Sequence, residues 1–124
     1  LRERVGDAAG AQRAYEQARG LLGSELDFLR ARGAAFLAVN MVDQADADLK
    51  AALDLKNDDA ASWYLLATVY ESRQQITEAI GALDNASQYA EETRQTELTA
   101  MARYRMGMLM QQLNFAQPTG APTP

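Results

Sequence analysis

A self-similarity with a 34-residue period constrains this chain more than any single residue in it. Laid over residues 60–93, residues 26–59 place small side chains on small ones: Gly33 on Ala67, Ala45 on Ala79 and Ala52 on Ala86. Large apolar residues fall on large apolar ones: Leu29 on Trp63, Phe36 on Tyr70, Leu49 on Leu83, Leu55 on Tyr89. The same step taken backwards brings Gly6, Ala11, Tyr15, Ala18 and Leu21 into register with Asn40, Ala45, Leu49, Ala52 and Leu55. A fixed period of this size marks a repeat architecture, in which each unit buries its apolar face only against its neighbours.

Within each unit the spacing is helical. Ala11, Tyr15, Ala18 and Leu22 share one face of a predicted helix from Ala8 to Leu22, which Gly20 and Gly23 should weaken and then stop. Ser24 is placed to cap a second helix, Glu25 to Val39, with Asp27 in its first turn. Asn40 suits the left-handed conformation that ends a helix. A third helix is expected over Val42 to Leu55, with Val42, Ala45, Leu49, Ala52 and Leu53 inward and an Asp46–Lys50 pair outside. Asn57-Asp58-Asp59 reads as a turn and cap, followed by helices over Ala60–Arg73, Ile76–Glu92 and Thr96–Gln112. The turns are short, so successive helices should run antiparallel.

Composition agrees. The chain is 48% hydrophobic but only 7% aromatic, so Ala and straight-chain side chains that lose little freedom in a helix supply most of its apolar character. No strand pattern competes. Residues 117–124 include all three prolines and are expected to form no regular structure.

These residues resemble the tetratricopeptide repeat, whose signature is Trp, two residues, Leu-Gly, two residues and Tyr in a first helix. Its second helix carries Ala, three residues, a large apolar residue and a later Ala. Residues 60–93 match with Trp63, Leu66, Ala67, Tyr70, Ala79, Leu83 and Ala86; residues 26–59 match with Leu29, Arg32, Gly33, Phe36, Ala45, Leu49 and Ala52. Residues 1–25 resemble the second half of an incomplete unit, with Gly6 at its turn. Residues 94–116 resemble a partial or capping unit, reached after a six-residue insertion between Tyr89 and Glu97. There Arg103, Met106, Gly107 and Met110 fit the first-helix pattern, and Asn114-Phe115-Ala116 fits the hairpin turn. The resemblance implies an all-α fold: a right-handed superhelical stack of antiparallel helix hairpins, a solenoid.

Several residues depart from the signature. Arg32 stands where Leu is usual, Gln74 replaces the turn glycine, and Arg103 replaces the large aromatic residue. A charge at the half-buried site of Arg32 requires a partner or a route to solvent.

Catalysis has little to work with. The chain contains no His and no Cys, and Ser24, Ser62, Ser72 and Ser87 have no base at a suggestive spacing. Asp43, Asp46 and Asp48 are expected on a solvated helix face, because Asp46 and Asp48 point about 200° apart on a helix and cannot share a metal ion. No glycine loop has phosphate-cradling spacing. We therefore expect no enzyme activity, no cofactor and no metal. A formal net charge of −5 without a basic cluster argues against nucleic acid as a partner. No apolar run is long enough to cross a bilayer, so no membrane insertion is expected. Leu1 is not an initiator methionine, which leads us to expect a longer parent protein.

What remains is surface. The resemblance implies a protein or peptide partner held in a concave groove lined by first helices. By register the groove positions are Arg30, Ala34, Tyr64, Thr68, Tyr104, Arg105 and Met108, flanked by Asp27, Leu37, Ala61, Leu65, Glu71 and Met101. Tyr and Met suit adaptable apolar contacts, while the two arginines would favour acidic or carboxylate-bearing ligands. The same side chains would also serve simply by packing against neighbouring helices. Two other roles are compatible with the same pattern. One is a structural or assembly subunit, with self-association through the open ends of the stack. The other is a regulatory arm of a larger enzyme.

Overall fold

The computed structural model describes residues 8–116, with side chains over 23–114. It is all-α among those residues. Five helices succeed one another: α1 (Ala8–Ala38), α2 (Val42–Leu55), α3 (Ala60–Ser72), α4 (Ile76–Glu92) and α5 (Thr96–Ala116). Each packs on the next. Among the described residues the only other helix pairs in contact are α1 with α3 and α3 with α5, so these three form one layer while α2 and α4 pack against it without touching each other.

Helix α1 corrects the expectation of a break at Gly20–Gly23, since it runs unbroken for 31 residues and Ser24 lies inside it rather than capping a new helix. A glycine costs about 1 kcal/mol relative to alanine inside a helix, which weakens without terminating it. Leu21, Leu22, Glu25 and Leu26 are helix formers, and no proline intervenes. The expected inward face of Ala11, Tyr15, Ala18 and Leu22 lies outside the described side chains. Residues 1–7 and 117–124, including Gly6 and the prolines, lie outside the described residues.

The 34-residue period is also present in the backbone. At the α1–α2 turn, Val39 N donates to Phe36 O, Asn40 N to Leu37 O, Met41 N to Phe36 O and Ala45 N to Met41 O. The α3–α4 turn repeats all four bonds one period later, with Arg73, Gln74, Gln75 and Ala79 as donors. Asn40 and Gln74 hold φ values of 62° and 63°. The α2–α3 turn is different. It ends in Asp59, whose carboxylate accepts from the Ser62 amide at 3.1 Å, as the cap cluster predicts.

After α4 the register slips as the sequence implies. Helix α4 has 17 residues against 14 in α2, and α5 has 21 against 13 in α3. Three residues added to the end of α4 and four to the start of α5, less one removed from the turn, account for the insertion. The α4–α5 turn then adopts the hairpin form, with Arg94 at φ 60° and Gln95 N donating to Ala90 O. Helix α5 also continues through Asn114-Phe115-Ala116, where a hairpin turn is expected from sequence, because no breaker precedes Pro118.

Two apolar clusters share α3 as a wall. Ala45, Leu49, Leu53, Leu66 and Val69 fill the space between α1, α2 and α3. Ala67, Ala79, Ala82, Leu83, Ala86, Ala102 and Leu109 fill that between α3, α4 and α5. Trp63 and Tyr70 pack against both. The matched pairs Ala45/Ala79, Leu49/Leu83 and Ala52/Ala86 are all fully buried. At Gly33 the helices come so close that an added Cβ would lie 2.9 Å from Leu49 Cγ.

Arg32 finds its partner in Asp48. Its Nε and Nη2 donate to the two carboxylate oxygens at 2.8 and 2.9 Å, and its guanidinium lies 4.8 Å from the centre of the Phe28 ring. Asp48, expected on a solvated face, is instead buried, with a side chain only 9% exposed. The Arg32 side chain remains 46% exposed at the open edge of α1, whereas Leu66, one period on, is buried against α2.

These contacts make stability testable in two places. Gln74→Gly and Arg94→Gly relieve left-handed strain and should each stabilise the fold by about 1 kcal/mol in urea unfolding monitored by the fluorescence of Trp63. Arg32→Leu strands a buried carboxylate and should lower the midpoint more than Asp48→Ala, which leaves an arginine with access to water. The double variant should recover most of the loss. Additive effects of the two substitutions in that cycle would contradict the assignment.

Candidate partner-binding face

The first helices α1, α3 and α5 form the layer on which register places the groove residues. Arg30 does not offer a free charge there. Its Nη2 donates to Asp27 at 2.8 Å and its Nη1 to Asp59 at 2.9 Å, so it ties α1 to the carboxylate that caps α3. The same Asp59 oxygen accepts from Ser62 Oγ at 2.5 Å. Ala34, also on α1, is half-buried.

Arg105 is held just as firmly. Its guanidinium lies 5.1 Å from the centre of the Tyr64 ring, Nη1 donates to Thr68 Oγ1 at 3.1 Å, and Nη2 pairs closely with Glu71. Tyr64, Thr68 and Arg105 are therefore brought together as a bridge between α3 and α5. Tyr64 also packs on the α3–α4–α5 core, and Leu37 and Leu65 pack on the other cluster. For these three apolar positions, packing accounts for much of the side chain.

Tyr104 and Met108 differ. They are 69% and 52% exposed on α5, and Met101 on the same helix is also exposed. Met108 borders a shallow depression of about 460 Å³, whose other walls are Glu71, Arg105, Leu109, Gln111 and Gln112. A second hollow of about 480 Å³ lies between the start of α4 and the end of α5, lined by Gln74, Gln75, Ile76, Thr77, Glu78, Gln112 and Leu113. Met108 is thus an apolar edge of the first hollow, whose one cation, Arg105, is neutralised by Glu71, and Tyr104 stands one turn before Met108 on the same helix. Register does not single out Gln111 and Gln112. Their only signal is that α5 outruns α3, an effect of the insertion.

Charge elsewhere is used between helices. Arg73 reaches from the end of α3 to Asp43 at 2.6 Å and Asp46 at 3.3 Å on α2, and Lys50 pairs with Asp46 as expected. Arg103 joins α5 to Glu91 of α4 at 2.5 Å. The guanidinium pKa values of Arg32 and Arg73 are raised, chiefly by hydrogen bonds to Asp48 and Asp43 respectively. The carboxyl of Asp58 lies below its usual range because Lys56 donates to it at 2.6 Å. Among the described residues no three carboxylates converge on a point where a metal ion could sit. None of the described helices is long and apolar enough to cross a membrane.

Asp59 joins the cap of α3 to the α1–α3 bridge, so Asp59→Ala should cost about 1–2 kcal/mol in thermal or urea unfolding. Asp58→Ala, one residue away and outside both roles, should change stability far less. Equal effects would remove Asp59 from that position.

No protein-family model, no curated protein and no solved structure matches the chain.

Proposed function

We propose that the chain is a tetratricopeptide-like solenoid, a right-handed stack of helix hairpins, that acts as a non-catalytic scaffold for a protein or peptide partner. The recurrence of turn bonds and buried pairs at one period supports the architecture. One observation carries the binding reading: Tyr104 and Met108 stand exposed one turn apart on α5, and Met108 borders the hollow lined by Arg105 and Glu71. A large apolar edge next to a shallow, partly polar hollow suits the anchors of an extended or helical segment, which would displace water from Tyr104 and Met108 on docking.

The geometry alters the expected ligand chemistry. With Arg30 bound by Asp27 and Asp59, and Arg105 by Glu71, neither arginine offers an uncompensated charge to an acidic peptide. Apolar anchors therefore dominate recognition. The exposed methionines of α5 also favour the second reading, assembly through the end of the stack.

Peptides selected from a random displayed library on the intact chain test the first reading. Tyr104→Ala and Met108→Ala should each weaken a selected peptide about tenfold, in line with loss of a small interface anchor, with unfolding midpoints unchanged. Selected peptides should be rich in apolar residues rather than in Asp and Glu. Binding that ignores both substitutions would remove the face from consideration.

A further inference from the structure

Two hollows lie along α5, and one side chain belongs to both. Gln112 borders the depression beside Arg105 and Met108, and it also borders the one between the start of α4 and the end of α5. Around it stand Gln111 on α5 and Gln74 and Gln75 in the α3–α4 turn, all exposed. Gln75 precedes α4 without capping it through its side chain, so that amide is not held by the helix start. A primary amide both donates and accepts, which matches the N–H and C=O groups of a peptide backbone. Apolar surface comes from Met108 and Leu109 in the first hollow and from Ile76 and Leu113 in the second. At about 460 and 480 Å³ each is the size of a small-ligand pocket, and together they suit a length of chain better than a single group.

Charge gives this trough a direction. In the first hollow Arg105 and Glu71 neutralise each other. In the second, Glu78 is the one charged side chain. It is exposed in the first turn of α4 and pairs with no basic side chain among the described residues. The imbalance extends beyond the hollows. Apart from Arg94, every lysine and arginine of residues 23–114 is paired with a carboxylate of the chain itself. With a formal net charge of −5, the chain offers an approaching molecule uncompensated carboxylates and almost no free cation.

We propose that the two hollows together hold one extended segment of a partner protein, with an apolar side chain against Met108 and Leu109 and a lysine or arginine beside Glu78. This rests on the peptide-binding reading and adds to it a second subsite and a charge preference. The preference is the reverse of the one expected from sequence: Arg30 and Arg105 are bound within the chain, whereas Glu78 is not. An exposed ion pair contributes little affinity, so the apolar anchor holds the segment and Glu78 sets which way it runs. Gln112, between the two ends, can bond the backbone that crosses it.

Peptides selected from a random displayed library on the wild-type chain, then measured singly by fluorescence anisotropy, test this. Selected sequences should carry Lys or Arg at one constant distance from an apolar residue. For such a peptide Glu78→Gln should weaken binding about threefold at low salt, as for loss of an exposed ion pair, and the difference should vanish at high salt. Replacing the peptide's basic residue by Gln should cost as much, with no further loss when both are changed. Met108→Ala should weaken the same peptide. Glu78 is on the surface, so Glu78→Gln should move the unfolding midpoint read by Trp63 fluorescence very little. Peptides that respond to Met108→Ala but ignore Glu78→Gln overturn this inference and leave the first hollow as the binding site. Peptides that respond to Glu78→Gln alone mark two separate sites and overturn the single segment. A response to neither substitution, or a library that yields no binder, overturns both readings.

Discussion

The close approach of each first helix to the second helix after it is the constraint on which the rest depends. At Gly33 there is no room for a methyl group against Leu49, and one period later Ala67 is fully buried in the cluster that contains Leu83. Protein interiors are packed tightly enough that such a notch fixes both the separation and the rotation of the two rods. Once those are set, the left-handed turns at Asn40 and Gln74 are required, because a short connection between antiparallel helices at that spacing has few backbone solutions. Gln74 and Arg94 hold this conformation without being glycine or asparagine, at a local cost that the packing on either side offsets.

Arginine supplies most of the polar bridging between helices. Arg32 joins α1 to α2, Arg30 joins α1 to α3, Arg73 joins α3 to α2, Arg105 joins α5 to α3, and Arg103 joins α5 to α4. Only the α3–α4 interface has no such bridge among the described residues. A planar guanidinium can hold a carboxylate with two parallel bonds while its stem lies along apolar surface, as Arg32 does beside Phe28. Most of these pairs are partly exposed and contribute orientation more than stability.

Much of this was legible in the sequence. The paired small and large residues, the bounds of α2 and α4, the Asp59 cap and the left-handed Asn40 all arise from local spacing and local hydrogen bonding. The continuity of α1 was not legible, because Gly20, Gly23 and Ser24 look like a stop when judged alone, while cooperative helix propagation overrides them. The candidate face was only half legible. Register placed Tyr104 and Met108 on α5, where both are exposed, but charge pairing depends on distances that no linear pattern encodes. Arg105 and Glu71 are 34 positions apart, and Arg30 and Asp59 are 29 apart. Asp48 shows the same limit: spacing separated it from Asp46, yet only the packing of α1 shows why it is buried.

Helix α3 is walled by both apolar clusters, and Trp63 and Tyr70 belong to each. Neighbour-only packing gives such a molecule a gradient of robustness along its axis. A helix packed on both sides is expected to open last, and helices packed on one side first. Either flank can then loosen and re-form while the centre keeps its shape.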